Sequence, residues 1–541
     1  MTNKILALLA LLLVAAGCGN TTEGSDKATS LRMGNAGEPL TLDPARATIV
    51  TEDRILESLF EGLTVLNPAA KPVPGVAESW LVSEDKLTWT FKLRDAKWSD
   101  GTPVTAEDFV YSIRRLMDPK TRSNYASLFY MIKNSEAVNS KGAPLTSLGV
   151  TAPDAKTLVI ELTNPTPFLP VLMSHWLVYP VPRHVIDKFG DEWVKPGNLV
   201  GNGAFVLKEW RPNDFIRLEK NPQFHDAANI CLTDLLIFPT TDPAAAARSV
   251  RAGELDTNAT FAGQTREVLS KELPGYVREA PYALIQYELF NLKNPKLKDA
   301  RVRQALSLAI DRELIASKII GGASKPAFSI VPPDTLGYNG GPVAGMFEAD
   351  LATRLASARA LLIAAGYGPN KPLSLTLKHV TNGDTPRYVP ILQNTWQQIA
   401  PWVKIDLLGA DGQIHYSQVQ RGDFELANMG WYADYDDAKS FLYILESRSG
   451  EMNSGRYENP TYDGLLAKAD QERDEVERAK LLRTAEELAV KDAALAPVFF
   501  DTGRSLVNPR VTGWVDNKLN THRTRWLCTK EAEAKRKQAT P

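Results

Sequence analysis

Apolar and polar positions alternate along this chain with two periods. Trp89, Phe91 and Leu93 interleave with Thr88, Thr90, Lys92 and Arg94, which predicts a half-buried strand. Leu373, Leu375 and Leu377 alternate in the same way, and 31–37, 157–162, 215–219 and 283–290 read as further strands. Leu235-Leu236-Ile237-Phe238 is a continuous apolar run, as in a strand covered on both faces. Helical spacing runs over 52–60. It recurs in Val110, Ile113 and Met117, behind the capping-box-like Thr105-Ala106-Glu107-Asp108. Val302, Ala305, Leu306, Ala309, Ile310 and Leu314 predict one amphipathic helix up to Gly321. A long charged helix over 474–491 has Leu481, Leu482, Ala485 and Leu488 on its inner face. Strands alternating with helices predict an α/β protein.

One stretch departs from both periods. Phe424-Glu425-Leu426-Ala427 predicts a strand, and Asn428-Met429-Gly430-Trp431-Tyr432-Ala433-Asp434-Tyr435-Asp436-Asp437 follows it. Gly430 admits the close approach of another backbone. Trp431 and Tyr432 can wall a pocket, and three acids within four residues do not suit a core. A strand end of this kind suits an extended chain that carries a positive charge. Asp436 and Asp437 are expected to serve the turn or a helix start.

Composition adds limits. The 541 residues suggest roughly three to four domain-sized units. A net charge of −2 gives no field directed at nucleic acid or at an anionic membrane. The six histidines lack metal-site spacing and are expected to be scattered and solvated. No GxSxG elbow is present, and Gly201-Asn202-Gly203 lacks the Lys-Ser/Thr of a phosphate loop. No cofactor or metal is therefore expected. Lys4 precedes a short apolar run ending at Val14, the length of a secretory signal. The small residues before Cys18 resemble the lipobox of bacterial lipoproteins, which implies a leader over 1–17, a lipidated Cys18 and a polar tether over 18–27. In an oxidising compartment Cys231 and Cys528 form a disulfide or remain two buried thiols. Residues 529–541 are charged and aperiodic, and disorder is expected there.

Longer motifs carry a resemblance. Val76-Ala77-Glu78-Ser79-Trp80, Trp89-Thr90-Phe91-Lys92-Leu93-Arg94 and the run from Ala96 to Ser112 resemble the oligopeptide- and dipeptide-binding proteins of ABC importers. Gly201-Asn202-Gly203-Ala204-Phe205 and Asp299-Ala300-Arg301-Val302-Arg303-Gln304-Ala305-Leu306 continue it. The resemblance implies a two-lobed periplasmic-binding-protein fold of class II type with an additional third domain. The first lobe would comprise 28–60, 186–280 and 501–528, the extra domain 61–185, and the second lobe 281–500. Both later cysteines then fall in the first lobe, which favours a disulfide. The implied protein is a monomeric, lipid-anchored, extracytoplasmic receptor. It captures peptides in a cleft, hands them to ABC permease subunits and catalyses nothing.

The same resemblance assigns Asp434 to the ligand's α-ammonium. The physics agrees, because an ammonium stripped of water needs an opposite charge within about 4–6 Å. Gly430, Trp431 and Tyr432, with Ala433 beside them, are expected to offer main-chain hydrogen bonds. Val50 matches a ligand-contacting valine of the family, whereas Thr48 replaces a glutamate. Tyr125 matches a tyrosine that reaches the ligand and reads equally well as a core residue. At the ligand's carboxyl end the family has basic side chains, where this chain has Thr385, Val419 and Asn428. Arg387 and Arg421 either take over that role or stand in solvent, and Asp501 replaces an aromatic residue. Other ligands therefore stay open, namely a murein peptide, an opine, a nickel chelate or haem. So do a peptide hydrolase and a sensor or chaperone without a transporter.

Overall fold

The computed structural model describes residues 27–539 apart from 322 and 344. The leader, Cys18 and the tether up to residue 26 lie outside the described residues.

Most strands join one mixed sheet. Its seam is an antiparallel pair of long strands, Val277–Phe290 and Leu495–Val507. Their register shifts between Pro281 and Ile285 and again between Gln286 and Tyr287, and such irregularities bend a strand. On one side of the seam lie Leu426–Tyr432, Leu373–Val380 and Val403–Ala410. On the other lie Thr257–Asn258, Ser30–Gly34, Asp234–Phe238, Phe215–Lys220 and Phe205–Arg211. Leu373, Leu375 and Leu377 point into an apolar cluster with Trp396 and Ile310, as their alternation requires.

A separate four-stranded sheet has the order Ala77–Val82, Thr88–Leu93, Thr157–Glu161, Val150–Asp154. Phe91 and Leu93 are buried on it, and the helix Ala106–Met117 packs against the last two strands. The capping box forms, with Thr105 N–H donating to Asp108 Oδ2 at 2.7 Å. Gly201-Asn202-Gly203 is a packing device. A Cβ on Gly203 would stand 2.5 Å from backbone atoms of Ser58, Leu59 and Phe60. Asn202 also exchanges two side-chain hydrogen bonds with the backbone of Glu61.

Four expectations change. The strand expected over 424–427 runs from Leu426 to Tyr432, so the glycine and both aromatics lie within the strand rather than beyond it. The single helix expected from Val302 to Gly321 is broken. Ala300–Leu308 is α-helical and Leu314–Ile320 forms a π-helical turn. Buried Arg312 lies between them and donates to the carbonyls of Ser307, Ala327 and Pro497, drawing three segments together. The histidines are mostly not solvated, because His175, His379 and His415 are buried and His225 Nε2 meets Glu61 Oε2 at 2.6 Å. Spacing rules test for metal or catalytic geometry and say nothing about burial.

The tail is ordered as well. Lys530–Ala539 is a helix whose Ala532 is buried. Thr529 Oγ1 accepts from Ala532 N–H at 3.0 Å, and Arg536 donates to the carbonyls of Ala228 and Asn229. One buried alanine and polar docking contacts leave no apolar periodicity to read. The helix starts two residues after Cys528, which is joined to Cys231 in a disulfide with Cα atoms 5.3 Å apart.

Candidate functional site

The seam and its neighbours frame a cavity of about 490 Å³. Its wall is the strand Leu426–Tyr432, which pairs with Val277–Phe290 along its whole length. Its other neighbour, Leu373–Val380, pairs with it only at Leu426 and Ala427. From Asn428 onward that edge is therefore open. Backbone groups alternate between the two edges of a strand. Ala433 N–H donates to Ala283 O at 2.8 Å, so odd-numbered residues face the seam. The main-chain groups of Gly430 and Tyr432 consequently face the open edge, and those of Trp431 and Ala433 are spent on the seam. A Cβ on Gly430 would stand 2.8 Å from Gln286 Nε2, so the glycine leaves room for the end of that side chain.

Asp434 lies just past the strand end, with its carboxylate 7% exposed. The Tyr125 hydroxyl donates to it, with both carboxylate oxygens 2.6 Å away. Burial first, and then the Asp434 charge, push the Tyr125 hydroxyl well above its usual range, so it stays a donor. His175 Nδ1 accepts from Leu177 N–H at 3.3 Å. The proton therefore sits on Nε2, which stands 3.4 Å from Asp434 Oδ1. The rings of Tyr125, His175 and Trp431 enclose this corner, and Ser440 Oγ accepts from Asp434 N–H. No Lys or Arg among the described residues makes an ion pair with Asp434. Asp436 and Asp437 have structural roles. Asp437 caps the helix Ala438–Leu442 and pairs with Arg478, and Asp436 accepts from Leu336 N–H.

Thr48 and Val50 line the opposite wall. Their loop is organised by Glu52, whose carboxylate accepts from the backbone N–H of Leu40, Thr41, Thr48 and Ile49. Arg387 and Arg421 are not in the cavity wall. Arg387 pairs with Asp384 at 3.1 Å, and Arg421 donates to Ser417 Oγ at 2.8 Å. Val419 is fully buried elsewhere. The wall's arginines are Arg54 and Arg504, which sequence reasoning missed. Arg504 is clasped by Asp384 at 3.0 Å and Asp501 at 2.8 Å. Arg54 donates to Asn35 O at 3.3 Å and stands one helical turn after Val50, a spacing that could have flagged it. A smaller cavity of about 130 Å³ adjoins the site and brings Asp53, Glu57 and Arg523 up to Asp434.

A family model described as bacterial extracellular solute-binding proteins, family 5 (middle), matches residues 71–453. The chain belongs to this family. Family 5 members are binding proteins and not enzymes, and the two-lobed class II fold with its interlobe cleft follows from membership. The periplasmic murein peptide-binding protein MppA of Escherichia coli K12 is 38% identical over 485 residues, 89% of each chain. A structure of MppA matches with a TM-score of 0.90 at 35% identity, covering 93% of this chain and 99% of that one. The structure of Haemophilus influenzae OppA in complex with RPPGFSPFR matches at 0.89 and 31% identity, covering 94% and 100%. The unliganded open form of MppA matches at only 0.66, with 35% identity and coverage of 93% and 98%. This family 5 chain therefore has its lobes arranged as in the peptide complex rather than as in the open form.

Proposed function

We propose that this protein captures peptides in the interlobe cleft and delivers them to the permease subunits of an ABC importer. The observation that carries the reading is the buried Asp434 carboxylate, held by a neutral tyrosine and making no ion pair with a lysine or arginine among the described residues. A peptide's α-ammonium supplies the missing charge. The open edge at Gly430 and Tyr432 supplies partners for the ligand backbone, which are common to all sequences. The lobes are formed from 28–60, 186–280 and 501–528 on one side and 281–500 on the other, with 61–185 as the extra domain. They close over the ligand by hinge motion. The protein acts as a monomer, held to the membrane by acyl chains on Cys18. Native mass spectrometry of the purified protein tests the reading. A co-purifying peptide released on unfolding is the expected result, and a non-peptide mass in the cleft refutes it.

A further inference from the structure

The inner end of the cavity lies along the same strand, six residues before Asp434. Thr385, His415 and Asn428 line it from three different elements. Behind Asn428, directly across the strand pair, stands Glu288, with no exposed surface at all. Tyr388 stands one position short of a full turn beyond Thr385 and is also buried.

The hydrogen bonds fix which atoms face the ligand. Asn428 Nδ2 donates to Glu288 Oε1 at 3.1 Å and also to the Tyr388 hydroxyl. Both amide protons are thereby spent; burial pushes the Glu288 carboxyl well above its usual range, so Oε1 accepts as the carbonyl oxygen and the proton falls to Oε2. The group left over is Asn428 Oδ1, an acceptor, whose one contact is Thr385 Oγ1 at 3.4 Å. His415 Nε2 stands 2.8 Å from Asn428 O. That nitrogen must carry the proton, so Nδ1 is a bare acceptor. His415 Nδ1 is buried without a hydrogen-bond partner, and so is Glu288 Oε2. Burial depresses the basicity of His415 and favours the neutral ring. Among the described residues no Lys or Arg makes an ion pair with this cluster. Arg504 is held by Asp384 and Asp501, and Lys378 is held by Asp423 at 3.1 Å.

We infer that the inner end of the cleft is a subsite for an N–H donor of the ligand, a carboxamide or a basic side chain, and that it rejects a carboxylate. This rests on the peptide reading and sharpens it. Asn428 Oδ1 accepts from the ligand, and Glu288 is a positioning residue that holds the Asn428 amide in that sense. Strand and extended ligand rise equally, about 3.3 Å per residue, so a peptide anchored at Asp434 reaches Asn428 with about its fifth or sixth residue.

Calorimetry on the full chain tests this with peptides of two to seven residues, each as the free acid and as the C-terminal amide. Seven-residue acids carrying Lys, Gln or Glu at the fifth and sixth positions form a second arm. An amide preference of at least tenfold is expected at the length whose terminus reaches Asn428, and not at shorter lengths. Preference for Lys or Gln over Glu in the second arm assigns the donor to a side chain, and preference confined to the first arm assigns it to the terminus. Glu288→Gln, whose amide can present either atom to Asn428, is expected to reduce the tenfold ratio to threefold or less. Equal affinities for acid and amide at every length, or stronger binding of the acid, overturn the inference while leaving the peptide reading intact. An undiminished ratio in E288Q overturns the role of Glu288. Failure of every peptide to bind overturns the peptide reading and this inference with it.

Discussion

The ammonium site can be tested without assuming how the rest of a ligand is held. Asp434→Asn removes the charge and leaves an oxygen for the Tyr125 hydroxyl, so the enclosing rings keep their packing. At about 3 Å and an effective dielectric near 20, an ammonium–carboxylate pair is worth about 5 kcal/mol before desolvation. Breaking such a pair in a buried site by removing one partner costs about 3–5 kcal/mol, or roughly two to three and a half decades of affinity. Acetylating the peptide's amino terminus removes the other partner. The assay is a double-mutant cycle by calorimetry: wild type and D434N, each with a free and an N-acetylated peptide of the same sequence. Each single change should cause most of the loss, and the second should then add little, a coupling of about 2 kcal/mol or more. If the two losses simply add, Asp434 and the amino terminus do not meet, and the assignment is refuted even if both losses are large.

Three further outcomes are expected. Thiol labelling of the unfolded, unreduced protein should find neither Cys231 nor Cys528, and replacing both by Ser should cost about 2–5 kcal/mol in urea unfolding. Gly203→Ala drives a Cβ to 2.5 Å from backbone that cannot yield, and should cost about 1–3 kcal/mol or more. Gly412→Ala, with open space around it, should be close to neutral by the same measurement. His522, stacked on Trp514, is pushed down to about 3 by burial and then by Arg54 and Arg278. Below about pH 6.5 the unfolded chain takes up a proton there that the folded chain refuses. Stability is therefore lost as pH falls from 6.5 towards 3. The loss is at most about 2 kcal/mol by pH 5, because the ring keeps some contact with water. The pH dependence of unfolding in His522→Asn should be flatter across that window.

The elements whose side chains divide cleanly between core and solvent were legible in sequence. Trp89, Phe91 and Leu93, or Leu373, Leu375 and Leu377, need only one rule, and the capping box at Thr105 needs only its own four residues. The tail helix was not legible, because its order comes from Thr529, Arg536 and the disulfide beside it rather than from an apolar face. The helix expected through Leu314 failed because the partner that interrupts it, Arg312, bonds to carbonyls as far away as Pro497. Sequence periodicity carries no trace of a partner that distant. The same limit applied to the histidines, whose burial depends on what folds over them.

In the site, the stretch from Gly430 to Asp434 was legible as a strand end, but not which of its main-chain groups face outward. Its glycine, aromatics and acid suggest a strand end with Gly430, Trp431, Tyr432 and Ala433 all offering main-chain groups to a ligand. As part of a strand they alternate, and the pairing of Ala433 with Ala283 leaves only Gly430 and Tyr432 facing outward. Whether that edge is open depends on where Leu373–Val380 stops pairing, a property of a strand some fifty residues upstream. The basic residues were misplaced for a related reason. Arg387 and Arg421 are near the site in sequence, but acids or hydroxyls on their own helices hold them away from it. Arg504 comes from across the seam and arrives already neutralised by two carboxylates. Around Asn428 the described residues place no free cation, and the subsite proposed there takes an N–H donor rather than a carboxylate.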